Sequence, residues 1–156
     1  MKYYTRLKLY KTKNLVLDPA TLRSTSYEWW QLTGKVSGVL IFNTYKYSVT
    51  TGKHIDKIFC VLKDLGQEWI EVQSPTNLTL RWVDEVERAI TWQMAELDEL
   101  LARHNTPRAR LNIYSGAAQG RRFQIARMAQ NLVNLQKVLE LMRNRNNAVA
   151  EDTEAA

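Results

Sequence analysis

NTYKYSVTTGKHIDKIF, Asn43 to Phe59, changes period part-way along. Tyr45, Tyr47 and Val49 alternate with Lys46, Ser48 and Thr50, the two-residue repeat of a strand. From Ile55 the apolar positions fall at Ile58, Phe59, Leu62 and Leu65, the spacing of one helical face. The stretch therefore predicts a strand over 45–50 that feeds a helix, with Thr50 or Thr51 as N-cap and Gly66 as the glycine past its end. Asn43-Thr44 is read as a tight hairpin loop between that strand and the apolar run Val39–Phe42.

The junction has the ingredients of an anion site. Free backbone N–H groups and the positive end of the dipole meet at a helix start, and a glycine lets a ligand approach the backbone. Ser48, Thr50, Thr51, Gly52, Lys53 and His54 are the candidate ligand-binding residues. The spacing is not that of a phosphate-binding P-loop, because GxxxxGK[ST] is missing. The competing reading is an ordinary capped junction, in which a threonine closes the helix and His54 bonds locally.

Upstream, the sequence is strand-rich. Tyr3–Tyr10 alternates, Asn14–Leu17 is a short strand stopped by Asp18-Pro19, and Tyr27–Leu32 (YEWWQL) is an aromatic strand. Thr33-Gly34-Lys35 permits a turn, and Glu68–Gln73 is one more strand with Ile70 and Val72 inward. From Thr79 onward the pattern is helical: Val83, Val86, Ile90, Met94, Leu97 and Leu101 recur at steps of three and four. Pro107 ends that helix, and a second begins near Ser115 or Gly120. Its stripe is Ile125, Met128, Leu132, Leu135, Leu139 and Met142, close to a heptad seam. Ala126, Ala129 and Val133 form a second narrow stripe, which predicts a second neighbour and hence a homodimer or higher oligomer. The fold class expected is α+β: a small, mainly antiparallel sheet with one packed helix, followed by a long antiparallel two-helix hairpin. Residues 1–76 form the β-rich unit, 77–145 the hairpin, and 146–156 a disordered tail, within a single domain.

Charge is unevenly spread. The chain of 156 residues carries a net charge of +6, but residues 81–102 carry −4 and residues 103–145 carry +8. The acidic segment is too small to neutralise the basic one, which predicts a basic surface for nucleic acid, a nucleotide or another polyanion. Arg103, Arg108, Arg110, Arg121, Arg122 and Arg127 are its candidates; arginine suits bidentate contact with phosphate or carboxylate. The same arginines fit a second reading, a protein-interaction module that inhibits a host protein through an acidic surface. No helix-turn-helix, zinc-finger or RNA-recognition motif is readable, so sequence-specific reading of DNA has no support.

The pattern N-x-x-K-Y-S-x-T-T-x-x-H, Asn43 to His54, resembles a signature of an uncharacterised family of small proteins from bacteriophages and mobile elements. Ser26-Tyr27 is similar to that family's entry into the preceding strand. The resemblance spans roughly residues 14–66 and implies a phage or mobile-element origin with no attached activity. Gly52 stands where that family often has serine, and the arginine-rich segment lies outside the resemblance.

Little points to catalysis. Ser48, His54 and Asp56 have no nucleophile elbow beside them, and Cys60 sits among apolar residues of a helix. His104 lies at a helix C-terminus, an ordinary place for a partial positive charge. Asp84, Glu85 and Glu87 fit the first turn of a helix better than a metal site. The expectation is a non-enzymatic binding protein with no cofactor and no metal. No apolar run reaches the about 18–20 residues of a membrane span, and one cysteine fits a reducing, cytoplasmic setting in the host cell.

Overall fold

The computed structural model describes the backbone of residues 11–12, 14–111 and 114–155, and the side chains of 14–109, 111 and 114–149. The strand expected over Tyr3–Tyr10 lies outside the described residues. Six strands form one sheet in sequence order: β1 (Lys11–Thr12), β2 (Leu15–Leu17), β3 (Ser24–Ser26), β4 (Trp30–Val36), β5 (Val39–Asn43) and β6 (Ile70–Val72). The first five pair antiparallel, and β6 joins β5 in parallel. Helix α1 (Val49–Asp64) is the crossover that a parallel pair requires. Helices α2 (Val83–His104), α3 (Pro107–Leu111) and α4 (Gly116–Ala155) follow. The class is α+β, as the sequence predicts.

The turns carry much of the register. β4 and β5 are joined by Ser37-Gly38, both at positive φ (51° and 78°), with Val36 opposite Val39. That is the two-residue primed turn whose twist matches the strands. The turn expected at Thr33-Gly34-Lys35 is absent; these residues are inside β4. Gly34 is needed there for space, because a Cβ would lie 2.3 Å from Gln31 Nε2 and 3.0 Å from Leu80 Cδ1. β3 and β4 slip by one residue between Ser24 and Thr25, so Leu32 bulges. The aromatic run YEWWQL is a turn at Tyr27–Trp29 and a strand only from Trp30.

Helices cover both faces of the sheet. On one face Ile55, Ile58, Val61 and Leu62 of α1 pack on Leu15, Leu17, Trp30, Leu32, Leu40 and Phe42. Side chains such as Phe42 and Ile58 are fully buried, worth about 1.5–3 kcal/mol each. On the other face Val36, Ile41 and Val72 meet Val86 and Ala89 of α2 and Leu135, Val138 and Met142 of α4. The contacts Glu87–Arg143, Gln93–Asn131 and His104–Arg121 set α2 and α4 antiparallel.

Several expectations are corrected. The strand over 45–50 and the hairpin at Asn43-Thr44 are absent: residues 44–48 are a loop, and the helix begins at Val49. Ser48 is the N-cap, not Thr50 or Thr51; its Oγ accepts from Thr51 N at 3.1 Å. A capping bond ends the alternation before it can pair, and the buried run VLIFN needs a parallel neighbour instead. Pro107 opens a short helix rather than only ending one, at the first position that a proline favours. The two long helices are unequal, 22 and 40 residues, with α3 between them. The residues expected as a disordered tail continue α4 to Ala155; NNAVAEDTEA contains no glycine or proline to stop it.

Candidate functional site

Two places collect the residues that the sequence singles out. The first is the start of α1. Ser48 Oγ donates to Thr51 Oγ1 at 3.0 Å, Thr51 Oγ1 lies 3.3 Å from Ser26 Oγ, and Ser26 Oγ lies 2.7 Å from His54 Nδ1. A hydroxyl has one proton. Either hydroxyl of the Ser26–Thr51 pair can donate, and Ser26 Oγ can donate to a bare Nδ1 or accept from a protonated one. The network accommodates a neutral imidazole in either tautomer. The His54 pKa is held below its ordinary value of 6.5, first by burial and then by the Lys57 ammonium. His54 is 6% exposed, and the Tyr27 ring lies 5.9 Å from it.

The protein itself covers much of this start. Thr51, Gly52 and His54 are buried, the Gly52 N–H is taken by Ser48 O at 3.0 Å, and the Lys46 side chain lies 3.7 Å from where a Gly52 Cβ would stand. Thr50 is half-buried and Lys53 is exposed. The hydroxyls that were expected to hold a ligand hold β3 to α1. Ser26 ends β3 within hydrogen-bond reach of His54. Just beyond it, Tyr27 and Glu28 both have positive φ, 56° and 65°, unusual for such side chains. That turn sets Trp29 against Tyr47, whose ring stacks on Trp30 at 4.8 Å.

The second place is the far end of the paired helices. Arg103 from α2, Arg108 from α3 and Arg121 from α4 line one hollow of about 270 Å³, with Thr106 and Ser115 between them. None of its lining side chains is acidic. Local hydroxyls hold the two helix starts: Thr106 Oγ1 accepts from Ala109 N at 3.2 Å, and Ser115 Oγ accepts from Ala118 N at 3.1 Å. Arg103 is paired with Glu99 one turn earlier, on the exposed surface. Arg121 Nε is 3.4 Å from His104 Nδ1.

The other expected arginines lie apart. Arg122 is exposed and does not line the hollow. Arg127 points over the Phe123 ring at 5.8 Å and lines a different cavity. The Arg110 side chain lies outside the described residues. Among the described residues there is no cluster of potential metal ligands, and no helix is long and apolar enough to cross a membrane. Comparison with known protein families, with curated proteins and with solved structures gives no match.

One feature of the site region has only a weak trace in the sequence. Asn131 of α4 accepts from Gln73 N at 2.8 Å and donates to Gln73 O at 2.9 Å and to Gln93 Oε1 at 2.8 Å. Asn134 Nδ2 donates to Glu71 O at 2.8 Å. These amides occupy the outer edge of β6 as a neighbouring strand would, and so protect it.

Proposed function

We propose that this protein is a non-enzymatic binder of polyanions, and that it holds phosphate groups of a nucleic acid in the arginine hollow at the tip of the paired helices. The observation that carries the reading is the convergence of one arginine from each of three helices on a space with no acidic lining. Guanidinium groups make bidentate contacts with phosphate, and several such contacts release counter-ions from the nucleic acid. Tyr114 and Phe123, 86% and 65% exposed, flank this end of α4 and supply surfaces on which bases stack.

Titration of fluorescent single- and double-stranded oligonucleotides at several salt concentrations tests it. Affinity falls with salt, with a slope of about −0.9 per phosphate contact on duplex DNA, hence near −2.7 for three contacts. The double variant Arg108→Glu, Arg121→Glu abolishes binding, and Lys53→Glu at the closed start of α1 leaves it unchanged. Equal affinity of wild type and double variant overturns the proposal.

A second reading is a protein-interaction module aimed at a host protein. It is favoured by the same exposed aromatics, since Tyr, Phe and Arg are enriched at protein interfaces. It gains if the double variant loses a host partner in a pull-down and no oligonucleotide binds. Homo-oligomerisation through α4 belongs to the proposal too: Ala126, Ala129 and Val133 form an exposed stripe on that helix. Light scattering of wild type against Val133→Glu checks it, and a monomeric wild type removes it. A phage or mobile-element origin and a cytoplasmic setting complete the reading; they rest on the Asn43–His54 signature and on the single cysteine.

A further inference from the structure

The donors around the arginine hollow are unequally committed. Arg103 is paired with Glu99, so its charge is already met on the surface. Arg108 is exposed, and among the described residues it has neither an acidic partner nor a hydrogen bond. Arg121 spends only its Nε, on His104 Nδ1 at 3.4 Å, and keeps both terminal nitrogens. Thr106 Oγ1 donates to Arg103 O at 3.2 Å and accepts from Ala109 N at 3.2 Å, so its one proton is taken. Ser115 Oγ accepts from Ala118 N at 3.1 Å, and its proton has no acceptor among the described residues. The free set is therefore two guanidinium forks and one hydroxyl. Its uncompensated charge is +2, three arginines less the one that Glu99 neutralises, with no acidic lining.

That set discriminates between two kinds of phosphate. An internal phosphodiester carries a single charge and exposes a pair of unesterified oxygens. A terminal phosphomonoester carries about −1.5 to −2 at pH 7 and exposes three. Two forks and a hydroxyl match three oxygens and a charge near two, whereas a diester leaves one arginine without its counter-charge. The shape of the site points the same way. A concave hollow of about 270 Å³ suits a group tied to its ligand by one ester bond, because only one chain has to leave the mouth. Tyr114, 86% exposed, directly precedes Ser115 in the wall. Its ring is available to stack on an end base, which is free on a single strand and paired in a duplex.

We infer that the hollow is a receptor for the terminal phosphate of a single-stranded nucleic acid, held by Arg108, Arg121 and Ser115, with the end base on Tyr114. The inference rests on the polyanion reading of the same hollow and narrows it from phosphates along a strand to the one at its end.

Fluorescence-polarisation titration of the full chain with one internally labelled single-stranded oligonucleotide tests it. The oligonucleotide is prepared with a 5′-phosphate, with a 3′-phosphate, or with hydroxyls at both ends. At least one phosphorylated form binds about tenfold tighter than the hydroxyl-ended form, as the charge-assisted contacts of a whole fork require. Arg108→Gln removes the charge of an exposed side chain that holds nothing else in place, and it erases that preference. Inorganic phosphate competes far more weakly than the phosphorylated strand. Salt-sensitive binding with equal affinity for all the forms overturns the inference and leaves the polyanion reading standing, whereas no binding of any form overturns both. A preference that Arg108→Gln retains in full also overturns the inference. So does inorganic phosphate competing as well as the phosphorylated strand, which would make the hollow a site for the free ion.

Discussion

Helices α1 and α4 both begin on a serine. Ser48 Oγ accepts from Thr51 N at 3.1 Å, and Ser115 Oγ accepts from Ala118 N at 3.1 Å. Their surroundings then diverge. Around Ser48 the chain folds over itself: Thr51 and His54 are buried, and Ser26 ties them to β3. Around Ser115 the start faces a hollow ringed by Arg103, Arg108 and Arg121. The capping bond is the same in both, so it says nothing about ligand binding. What separates a structural helix start from a candidate anion site is who else is present: a buried imidazole in one place, guanidinium groups in the other.

The contrast can be broken by mutation. The largest effect is expected at the closed start. Ser26→Ala leaves the Thr51 hydroxyl and His54 Nδ1 buried without their shared partner, and lowers unfolding stability by about 2–3 kcal/mol in a urea titration. A loss under about 0.5 kcal/mol would mean that the relay is not holding β3 to α1. Ser48→Ala is next, at about 2 kcal/mol, because that hydroxyl both caps the helix and donates into the relay. Ser115→Ala removes a cap alone and costs about 1 kcal/mol. If the two serine variants cost the same, the buried relay adds nothing to the cap.

The closed start also titrates. Its imidazole has a lower pKa in the fold than in the unfolded chain, where it is near 6.5. The unfolded state therefore takes up the proton first. The stabilisation from neutral His54 is complete above pH 6.5 and is lost as pH falls through that value toward the folded pKa. Asp18 behaves in the opposite direction in charge and in a separate window. The Ala20 N–H on its carboxylate lowers its pKa from 3.8, so its contribution is lost only in stronger acid. Urea unfolding measured from about pH 8 to about pH 5 should show the His54 slope in wild type and lose it in His54→Gln. A persistent slope would assign it to another group.

How far the sequence could be read follows from where its polar residues lie. The α+β class, the α1 face carried by Ile55, Ile58 and Leu62, and the Gly66 stop were all legible, because apolar periodicity and a glycine at φ 63° are strong local signals. On the long helices the expected stripes hold at Val86, Leu135 and Met142, which are fully buried, and at Val83, Ile90 and Leu139, which pack against that core; Met94 is half-exposed, and the buried positions also include Gln93 in α2 and Asn131 and Val138 in α4. The cause is common to both helices. Each turns an amide to the centre, and the two amides bond each other, so a reading that rewards only apolar residues steps past them. The hydroxyl network at the start of α1 was not legible for a different reason: nothing local in SVTTGKH shows that Ser26, 28 residues before His54, bonds to it. The arginine cluster was visible as charge, but its sorting was not. Only tertiary structure brings Arg103, Arg108 and Arg121 together and leaves Arg127 on another wall.

The smallest expected change in stability belongs to the open start, and it sharpens the contrast most. Arg108 and Arg121 are in solvent-accessible positions around a hollow whose charged lining is three arginines. Replacing either by alanine removes like-charge repulsion and little packing, so unfolding stability should move by less than about 0.5 kcal/mol, with a gain in low salt. Each replacement should also lower the slope of log affinity against log salt by about 1 if that residue contacts a phosphate. The two readouts separate two meanings of a conspicuous residue. At Ser26 stability falls, and polyanion affinity has no reason to change. At Arg121 stability holds, and the salt slope should fall. A variant of Arg121 that unfolds the helix pair while leaving the salt slope intact would move that arginine to the structural side of the comparison, and the hollow would then be a by-product of how α2, α3 and α4 meet.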